Sequence, residues 1–364
     1  MEFNIALLPG DHVGPEITAQ AVKVVDEVGR RFDHAFKWHE EAIGGAAIDK
    51  YGVPLPKEAV ELCRKSDAIL FGATGGPKWD SPGSKNRADI TLLKLRKEFN
   101  LFANLRLMKV FPPLVNASPV KPEFVKGVDL IILRELIGGL YFGEPRGIEV
   151  CPDGKRGVNT MIYSQAEIER ILRVGFELAR QRSGKLLSVD KSNVLEVSVL
   201  WREIATQLAP EYPDIELRHM YVDTAAMELM SNPRRFDVVV MENTFGDILS
   251  DEAAVLCGSL GMVPSASFSG LPVGKVFGLY EPILHGGDRI KAGNDVNNPI
   301  GSILSGALML RYSFGLNTEA AAIEGAVSRV VESYRTWDIM EEGKKQVGTR
   351  EMGDLVAAEV LNAR

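Results

Sequence analysis

Residues 236–256 read FDVVVMENTFGDILSDEAAVL and join two patterns. The first eight form a compact β-rich run, and the rest has the composition of a buried helix. Two aspartates, Asp247 and Asp251, are four residues apart in the helical part, and residues i and i+4 share one helix face. The stretch therefore predicts a strand, a polar turn and a helix that presents two neighbouring carboxylates.

The same alternation recurs along the chain. Compact β-rich runs occupy residues 4–11, 67–74, 128–135 and 185–191. After the first run, residues 15–32 carry apolar side chains at helical spacing, namely Ile17, Ala21, Val24, Val25 and Val28. Ser164 and Glu167 form a Ser-x-x-Glu capping box that marks another helix start. The pattern predicts an α/β protein with its functional groups in loops after the strand ends.

Composition limits the classes of partner. The chain has 364 residues, 45% of them hydrophobic, which is enough for a large core or two domains. Its net charge of −7 argues against nucleic acid. Three cysteines without a CxxC suit a reducing compartment, and neither a targeting segment nor a membrane-spanning stretch is evident. We expect a soluble cytoplasmic protein.

Residues 141–163 interrupt the alternation. Their CPDG turn is flanked by extended-looking residues and predicts a projecting hairpin. The hairpin could be a plain surface feature or an element of subunit exchange. Elsewhere GxGxxG, GxxxxGK[ST], HExxH and GxSxG are absent, which argues against a GxGxxG Rossmann fold, a P-loop, a zincin and a serine hydrolase.

Several charged residues are candidates for chemistry. Arg96, Arg106 and Arg134 could together hold a dicarboxylate, because a guanidinium binds carboxylates bidentately. Each could instead make a structural salt bridge. Lys191 and Asp223 follow extended runs, where polar side chains often line a cleft, although a lone lysine could serve solubility.

Two further candidates have structural alternatives. Tyr141, after GGL, could donate a proton or simply pack. Asp247 and Asp251 could bind Mg²⁺ or Mn²⁺, which prefer oxygen ligands, with Asp223 as a third carboxylate. Alternatively, the pair lies in a first helical turn, where the helix dipole favours negative charge.

Specific motifs extend almost from end to end. They include LPGDHVGPE (8–16), LLKLRKEFNLFANLR (92–106), RELIGGLYFGEPRG (134–147), SVDKSNVLEVSVLWR (188–202) and NTFGDILSDEA (243–253). On these motifs the chain resembles the β-decarboxylating dehydrogenases, the isocitrate and isopropylmalate dehydrogenase family, and within it the isopropylmalate branch. The resemblance implies metal-dependent oxidative decarboxylation of 3-isopropylmalate to 4-methyl-2-oxopentanoate with NAD, in leucine biosynthesis.

The resemblance also implies roles for particular residues. Arg96, Arg106 and Arg134 would bind the two carboxylates, and Asp223, Asp247 and Asp251 would hold Mg²⁺ or Mn²⁺, with K⁺ as a further ion. Lys191 would act as the base and Tyr141 as the proton donor. Lys191 and Asp223 would come from the partner subunit of a homodimer, with 141–163 as the intersubunit arm.

Substrate and cofactor contacts follow from the same resemblance. Leu92, Leu93 and Val194 would form an apolar lining that suits an isopropyl group and not a third carboxylate. The implied cofactor-binding residues are Val13, Gly75, Gly76, Asp89, Asn193, Glu281, His285, Gly286, Gly287, Asp288, Ile290 and Asn298.

The chain departs from the family at two places. His12-Val13 replaces the usual Gly-Ile, and we place His12 at the cleft rim. In the adenosine loop, Ile290 stands where an aspartate usually selects NAD, and Arg289 and Lys291 would suit a 2′-phosphate. NAD is the first expectation, and NADP remains open.

By the family's architecture, residues 1–101 plus 258–364 would form a first domain with the cofactor loop. Residues 102–257 would form a second, with the dimer interface. The resemblance implies parallel or mixed sheets flanked by helices, with the site in the cleft between the domains. Alternatives are the same chemistry on D-malate, tartrate or homoisocitrate, a non-catalytic regulatory subunit, and a metal-dependent lyase without nucleotide.

Overall fold

A computed structural model describes residues 1–80, 86–283 and 292–362. Its strands are β1 (Glu2–Gly10), β2 (Ala35–Glu40), β3 (Ala68–Ala73), β4 (Ala103–Lys109), β5 (Asp129–Glu135), β6 (Gly147–Cys151), β7 (Gly154–Val158), β8 (Lys185–Asp190), β9 (Glu216–Tyr221), β10 (Val238–Met241), β11 (Pro264–Phe268), β12 (Gly278–Pro282), β13 (Tyr334–Arg335) and β14 (Lys345–Gln346). Its helices are α1 (Gly14–Phe32), α2 (Gly44–Tyr51), α3 (Lys57–Lys65), α4 (Thr91–Glu98), α5 (Pro122–Val125), α6 (Gln165–Arg180), α7 (Glu196–Leu208), α8 (Val222–Ser231), α9 (Asn243–Ala254), α10 (Ile300–Tyr312), α11 (Asn317–Val330) and α12 (Thr349–Asn362).

One ten-stranded sheet runs through the described part of the chain in the order β2-β1-β3-β12-β11-β4-β5-β10-β8-β9. Both outer portions are parallel: β2, β1, β3 and β12 on one side, and β5, β10, β8 and β9 on the other. At the centre β11 is antiparallel to β12 and β4, and β4 is antiparallel to β5. The predicted α/β class is confirmed, and the pairing of β11 with β4 makes the sheet continuous.

Helices cover the buried strands. All five apolar positions predicted for the first helix are buried in α1, which packs against α10 and α12. Helix α10 is buried on almost every side, in keeping with its apolar sequence. None of the described helices is both long and apolar enough to cross a membrane.

The strand–helix unit at 236–256 forms as predicted, with a shorter strand. Its strand ends at Met241 because Glu242 caps α9, accepting hydrogen bonds from the backbone N–H groups of Thr244 (2.9 Å) and Phe245 (2.6 Å). The cap leaves the first turn of α9 without an acidic residue and puts Asp247 further along the helix. The alternative that the aspartates lie in the first helical turn is therefore wrong.

The predicted hairpin is present. Strands β6 and β7 pair antiparallel as a separate two-stranded sheet. The apolar side chains of Ile148 and Val150 are 76% and 85% exposed. The hairpin thus presents an unpartnered apolar strand face within a single chain.

The capping box provides a test of the local structure. Ser164→Ala should lower the free energy of unfolding by about 1 kcal/mol, because the Glu167 amide, 3.3 Å from the Ser164 hydroxyl oxygen, loses its acceptor. Urea unfolding followed by circular dichroism measures this. Ser231→Ala, at an exposed serine, is the control and should change stability by less than about 0.5 kcal/mol. Equal effects would contradict the capping role.

Candidate active site

Three buried arginines converge beside the centre of the sheet. Arg96 on α4, Arg106 on β4 and Arg134 on β5 are only 5%, 8% and 4% exposed. Burial and then the charge of Arg106 lower the pKa of Arg134 to about 9. Burial also lowers the pKa of Arg106, and the charge of Arg96 acts in the same direction. Such a concentration of buried positive charge requires anionic partners.

The aspartate pair on α9 supplies part of that negative charge. Arg134 forms an ion pair with Asp247. Arg106 Nη1 lies 3.0 Å from Asp251 Oδ1, and Arg106 Nη2 lies 3.6 Å from Asp247 Oδ1. The two aspartate side chains are 34% and 31% exposed. They share one helix face, as their spacing predicts, and a ligand from solvent can reach them.

Tyr141 belongs to the same cluster. It ends a short 3-10 helix, Gly139–Tyr141, and its hydroxyl donates to Asp247 Oδ2 at 3.0 Å. The Arg134 guanidinium carbon lies 5.8 Å from the centre of the Tyr141 ring. Burial, followed by the Asp247 charge, raises the pKa of Tyr141. The phenol is therefore protonated at neutral pH and can donate a proton.

Arg96 has a different carboxylate partner. Its Nη2 is 2.9 Å from Glu281 Oε1, and both side chains are buried. The buried Arg96 Nε finds no acceptor among the described residues. Leu93, one turn earlier on α4, is 37% exposed, whereas Leu92 packs against a core cluster around β1 and β3.

Lys191 and Asp223 form a second group. Lys191 follows β8, Asp223 lies in the first turn of α8, and Lys191 Nζ is 2.6 Å from Asp223 Oδ1. This hydrogen bond lowers the pKa of Asp223, whose side chain is 60% exposed. Within the described ranges of one chain, no three histidine, cysteine, aspartate or glutamate residues come together as a metal site. Asn193 and Val194, just after Lys191, are exposed.

The predicted cofactor glycines lie in a turn held by a residue without a predicted role. The carboxylate of Asp11, only 5% exposed, accepts backbone hydrogen bonds from Gly75 (2.9 Å), Gly45 (2.8 Å) and Ala46 (2.9 Å). It thereby ties the end of β1 to the turn after β3 and to the start of α2. Its sequence signal was a charged residue directly after an apolar strand.

His12 packs into this turn. A Cβ at Gly76 would lie 2.4 Å from His12 Nε2, so the backbone and the ring are in close contact. That buried nitrogen has no hydrogen-bond partner among the described residues. The ring centroids of His12 and Trp79 are 5.6 Å apart, and the neighbouring Val13 is buried. The turn thus offers an unused polar atom beside closely approaching backbone.

The other predicted cofactor residues are more scattered. Asp89 Oδ1 accepts a hydrogen bond from Arg87 Nε at 2.9 Å. Asn298 is buried, accepts from the backbone N–H of Ile300 at 3.0 Å and donates to Asp338 at 3.1 Å, so it orders the start of α10. Outside the described residues are His285, Gly286, Gly287, Asp288, Arg289, Ile290 and Lys291.

The fold and the site together are those of an α/β enzyme with a cluster of three buried arginines, each paired with a carboxylate. The family model described as isocitrate/isopropylmalate dehydrogenase matches residues 4–356. The chain belongs to this family.

Curated relatives and solved structures agree with this assignment. The chain is 55% identical to 3-isopropylmalate dehydrogenase of Gloeobacter violaceus over 361 residues, covering 98% of each chain. It is 53% identical to that of Carboxydothermus hydrogenoformans, covering 99% of this chain and 95% of the relative. Isocitrate dehydrogenase from Methylococcus capsulatus superposes with a TM-score of 0.85 at 33% identity, covering 99% and 100%. A β-decarboxylating dehydrogenase from Thermococcus kodakarensis gives 0.79 at 32%, covering 98% and 96%.

Contact between α9 and Arg134 can be tested through a glycine. A Cβ at Gly246 would lie 2.6 Å from both Cβ and Cγ of Arg134. Gly246→Ala should lower the free energy of unfolding by roughly 1–3 kcal/mol despite the better helix propensity of alanine. Gly325→Ala on α11, where the added methyl meets only the flexible end of Arg329, is the control. It should raise stability by up to about 1 kcal/mol; stabilisation by both substitutions in urea unfolding would contradict the close packing.

Proposed function

We propose that this protein catalyses the metal-dependent oxidative decarboxylation of (2R,3S)-3-isopropylmalate to 4-methyl-2-oxopentanoate with NAD, in the leucine pathway of the cytoplasm. The observation that carries the proposal is the convergence of Arg96, Arg106 and Arg134 beside the aspartate pair of α9. A dicarboxylate is the ligand that such planar forks bind best. The curated relatives carry this substrate in their names.

The arginines would bind the substrate carboxylates. Arg106 and Arg134 now share the charge of Asp247 and Asp251. Arg96 keeps a buried Nε–H without an acceptor among the described residues. An incoming dicarboxylate supplies oxygen acceptors for these donors. Leu93 and Val194, both partly exposed, would pack around the isopropyl group, whereas Leu92 would support them from the core side.

A divalent cation fits the aspartates. Asp247 and Asp251 offer carboxylate oxygens on one helix face, the donor type that Mg²⁺ and Mn²⁺ prefer. Asp223 of a second copy would complete the set, since one chain does not bring three such groups together in its described part. When bound, the cation would supply a Lewis acid for the 2-oxo group, and NAD would supply the hydride acceptor.

The proton transfers fall to two side chains. Lys191 would accept the proton of the substrate 2-hydroxyl as the C2 hydride leaves, directly or through water. The bond from C3 to its carboxylate then breaks, CO₂ leaves and the electron pair forms an enolate. Tyr141, protonated and 3.0 Å from Asp247, would protonate C3. The hydrogen bond to Asp247 orients its hydroxyl at the cluster.

NAD would lie against the turn after β3. The turn presents Gly75 and Gly76, where backbone approaches closely, and the unused His12 Nε2. Val13, Asp89, Asn193, Glu281 and Asn298 are the further proposed contacts. The proposed contacts within His285–Ile290 fall outside the described residues. The preference for NAD over NADP is therefore measured by comparing the rates with the two coenzymes.

We propose a homodimer that shares its sites. Around the helices that carry the aspartates, α8 and α9, several apolar side chains are exposed: Val194 (68%), Met227 (65%) and Ile248 (61%). Together with the hairpin residues Ile148 and Val150, they offer an apolar surface for a second copy. Such a dimer would bring Lys191 and Asp223 of one subunit to the arginines of the other.

Sheet order supports the proposed domains. Strands of residues 1–101 and 258–364 occupy one side of the sheet, from β2 to β11, and strands of residues 102–257 occupy the other, from β4 to β9. The only pairing that joins the two sets in the described sheet is β11 with β4. The cleft would open beside this pair, where Arg106 lies opposite Ser265.

Absorbance at 340 nm tests the function directly. With Mg²⁺ and NAD, 3-isopropylmalate should be oxidised much faster than D-malate, and EDTA should abolish the rate until Mg²⁺ or Mn²⁺ is restored. A parallel series with NADP measures the coenzyme preference. Faster oxidation of D-malate would assign another hydroxy acid, and no reduction of either coenzyme would contradict the proposal.

Subunit mixing tests the shared site. Asp251→Asn and Lys191→Met homodimers should each be inactive. After co-refolding in equal amounts, about a quarter of wild-type activity should return, because half the dimers are mixed and each has one intact site. A mixture of Asp247→Asn and Asp251→Asn is the control and should stay inactive, since every mixed site carries one lesion. Inactivity of both mixtures would contradict sharing.

A further inference from the structure

Each strand arginine has a buried asparagine of its own. Arg106 Nε donates to Asn104 Oδ1 at 3.0 Å, and Arg134 Nε donates to Asn243 Oδ1 at 2.9 Å. Both asparagines are fully buried. They come from different elements, β4 and the start of α9, yet they use the same atom for the same donor.

Asn104 is itself fixed from the opposite side. Its Nδ2 donates to Ser265 Oγ (2.7 Å), Ser267 Oγ (3.2 Å) and the Ala266 carbonyl (3.2 Å), all on β11. A carboxamide whose nitrogen has acceptors on one side must direct its oxygen to the other. Asn104 and Arg106 are two residues apart on one strand and therefore share a face. The oxygen consequently meets the Arg106 Nε–H.

Asn243 is held in the same way by a different segment. Its Nδ2 donates to the carbonyls of Leu136 and Gly138, both at 3.1 Å. These carbonyls precede the 3-10 helix that ends at Tyr141. The side chain of Asn243, the first residue of α9, therefore connects Arg134 to the turn that carries Tyr141.

The Nε hydrogen bonds fix how the guanidinium groups face the site. A guanidinium has five N–H donors in one plane, and an acceptor on Nε prevents rotation of that plane. The remaining donors of Arg106 are then directed at Ser250 (2.6 Å), Asp251 and Asp247, and those of Arg134 at Asp247. A dicarboxylate would meet forks that are already oriented, so less conformational entropy is lost on binding.

We infer that Asn104 and Asn243 are positioning residues, one for each arginine, that orient the guanidinium forks for a dicarboxylate and act on substrate affinity only through those arginines. The inference rests on the proposed function for its substrate class. It adds two residues that make no direct contact with substrate.

Isosteric substitutions test the inference. Asn104→Leu and Asn243→Leu keep the number and branching of the side-chain heavy atoms but remove the acceptor. Each should raise KM for 3-isopropylmalate roughly 10- to 100-fold, the effect of losing a hydrogen bond to a charged group. KM for NAD should change by less than about twofold. Asn116→Leu, at an exposed asparagine that contacts Glu341, is the control and should change neither KM.

Double mutants assign each asparagine to its arginine. Lysine has no Nε–H donor at the guanidinium position, so Asn104→Leu should have no further effect in Arg106→Lys and its full effect in Arg134→Lys. Asn243→Leu should show the reverse. Additive effects in both lysine backgrounds, or equal changes of the two KM values, would overturn the inference.

Two measurements separate this outcome from folding defects and from failure of the proposed function. If the leucine variant of Asn104 does not fold, the double variant Ser265→Ala/Ser267→Ala is measured instead. It removes two acceptors of the Asn104 amide, lets that amide rotate and should also raise the substrate KM. An unchanged KM would overturn the role of Asn104. If the wild-type protein oxidises no 3-isopropylmalate, the proposed function fails. The double-mutant pattern is then measured as Kd for malonate by calorimetry, and its absence there overturns the inference.

Discussion

The burial of two neighbouring guanidinium groups, Arg106 and Arg134, is the constraint on which the rest of the site depends. Both side chains extend from adjacent antiparallel strands. Burying a guanidinium destabilises the fold unless anionic and neutral acceptors surround it. Helix α9 meets that requirement with Asp247, Ser250 and Asp251, and with Asn243 at its first turn. Gly246 allows α9 to approach closely enough.

Because the buried arginines need anionic partners, carboxylates of the same chain pair with them in the absence of substrate. In one chain the aspartates neutralise the arginines, and Lys191 neutralises Asp223. Binding a dicarboxylate and a divalent cation would exchange these pairs: the substrate takes over the arginines, and the cation takes over the carboxylates. Each charge keeps a partner throughout, which limits the electrostatic cost of binding. The exposed apolar side chains of α8, α9 and the hairpin would be covered by the second subunit.

Local pattern was sufficient for much of the fold. The strands at 67–74, 128–135 and 185–191, the buried face of α1, the capping box and the hairpin all follow from periodicity and turn chemistry. Patterns did not reveal that one continuous sheet crosses the chain, because the β11–β4 pairing joins segments more than 150 residues apart. The alternative that Asp247 and Asp251 lie in the first turn of a helix was wrong, because the buried Glu242 caps α9 and the helix starts at Asn243.

The site was only partly accessible in the same way. Charged residues at strand ends could be selected one by one, but their convergence depends on tertiary contacts. Asp11, Asn104 and Asn243 had no predicted role, because their partners are distant backbone amides, serines and arginines. Leu92 was predicted to line the site, and its partly buried side chain packs against a core cluster, so its contact with substrate stays a prediction.

A crystal structure of the protein with 3-isopropylmalate and Mn²⁺ would test the central claim most directly, through the anomalous signal of manganese. We expect the manganese between Asp247, Asp251 and Asp223 of the partner subunit, with the substrate carboxylates on Arg96, Arg106 and Arg134. Manganese elsewhere, or substrate bound while the present arginine–aspartate pairs remain intact, would contradict the exchange of partners on which this site is proposed to work.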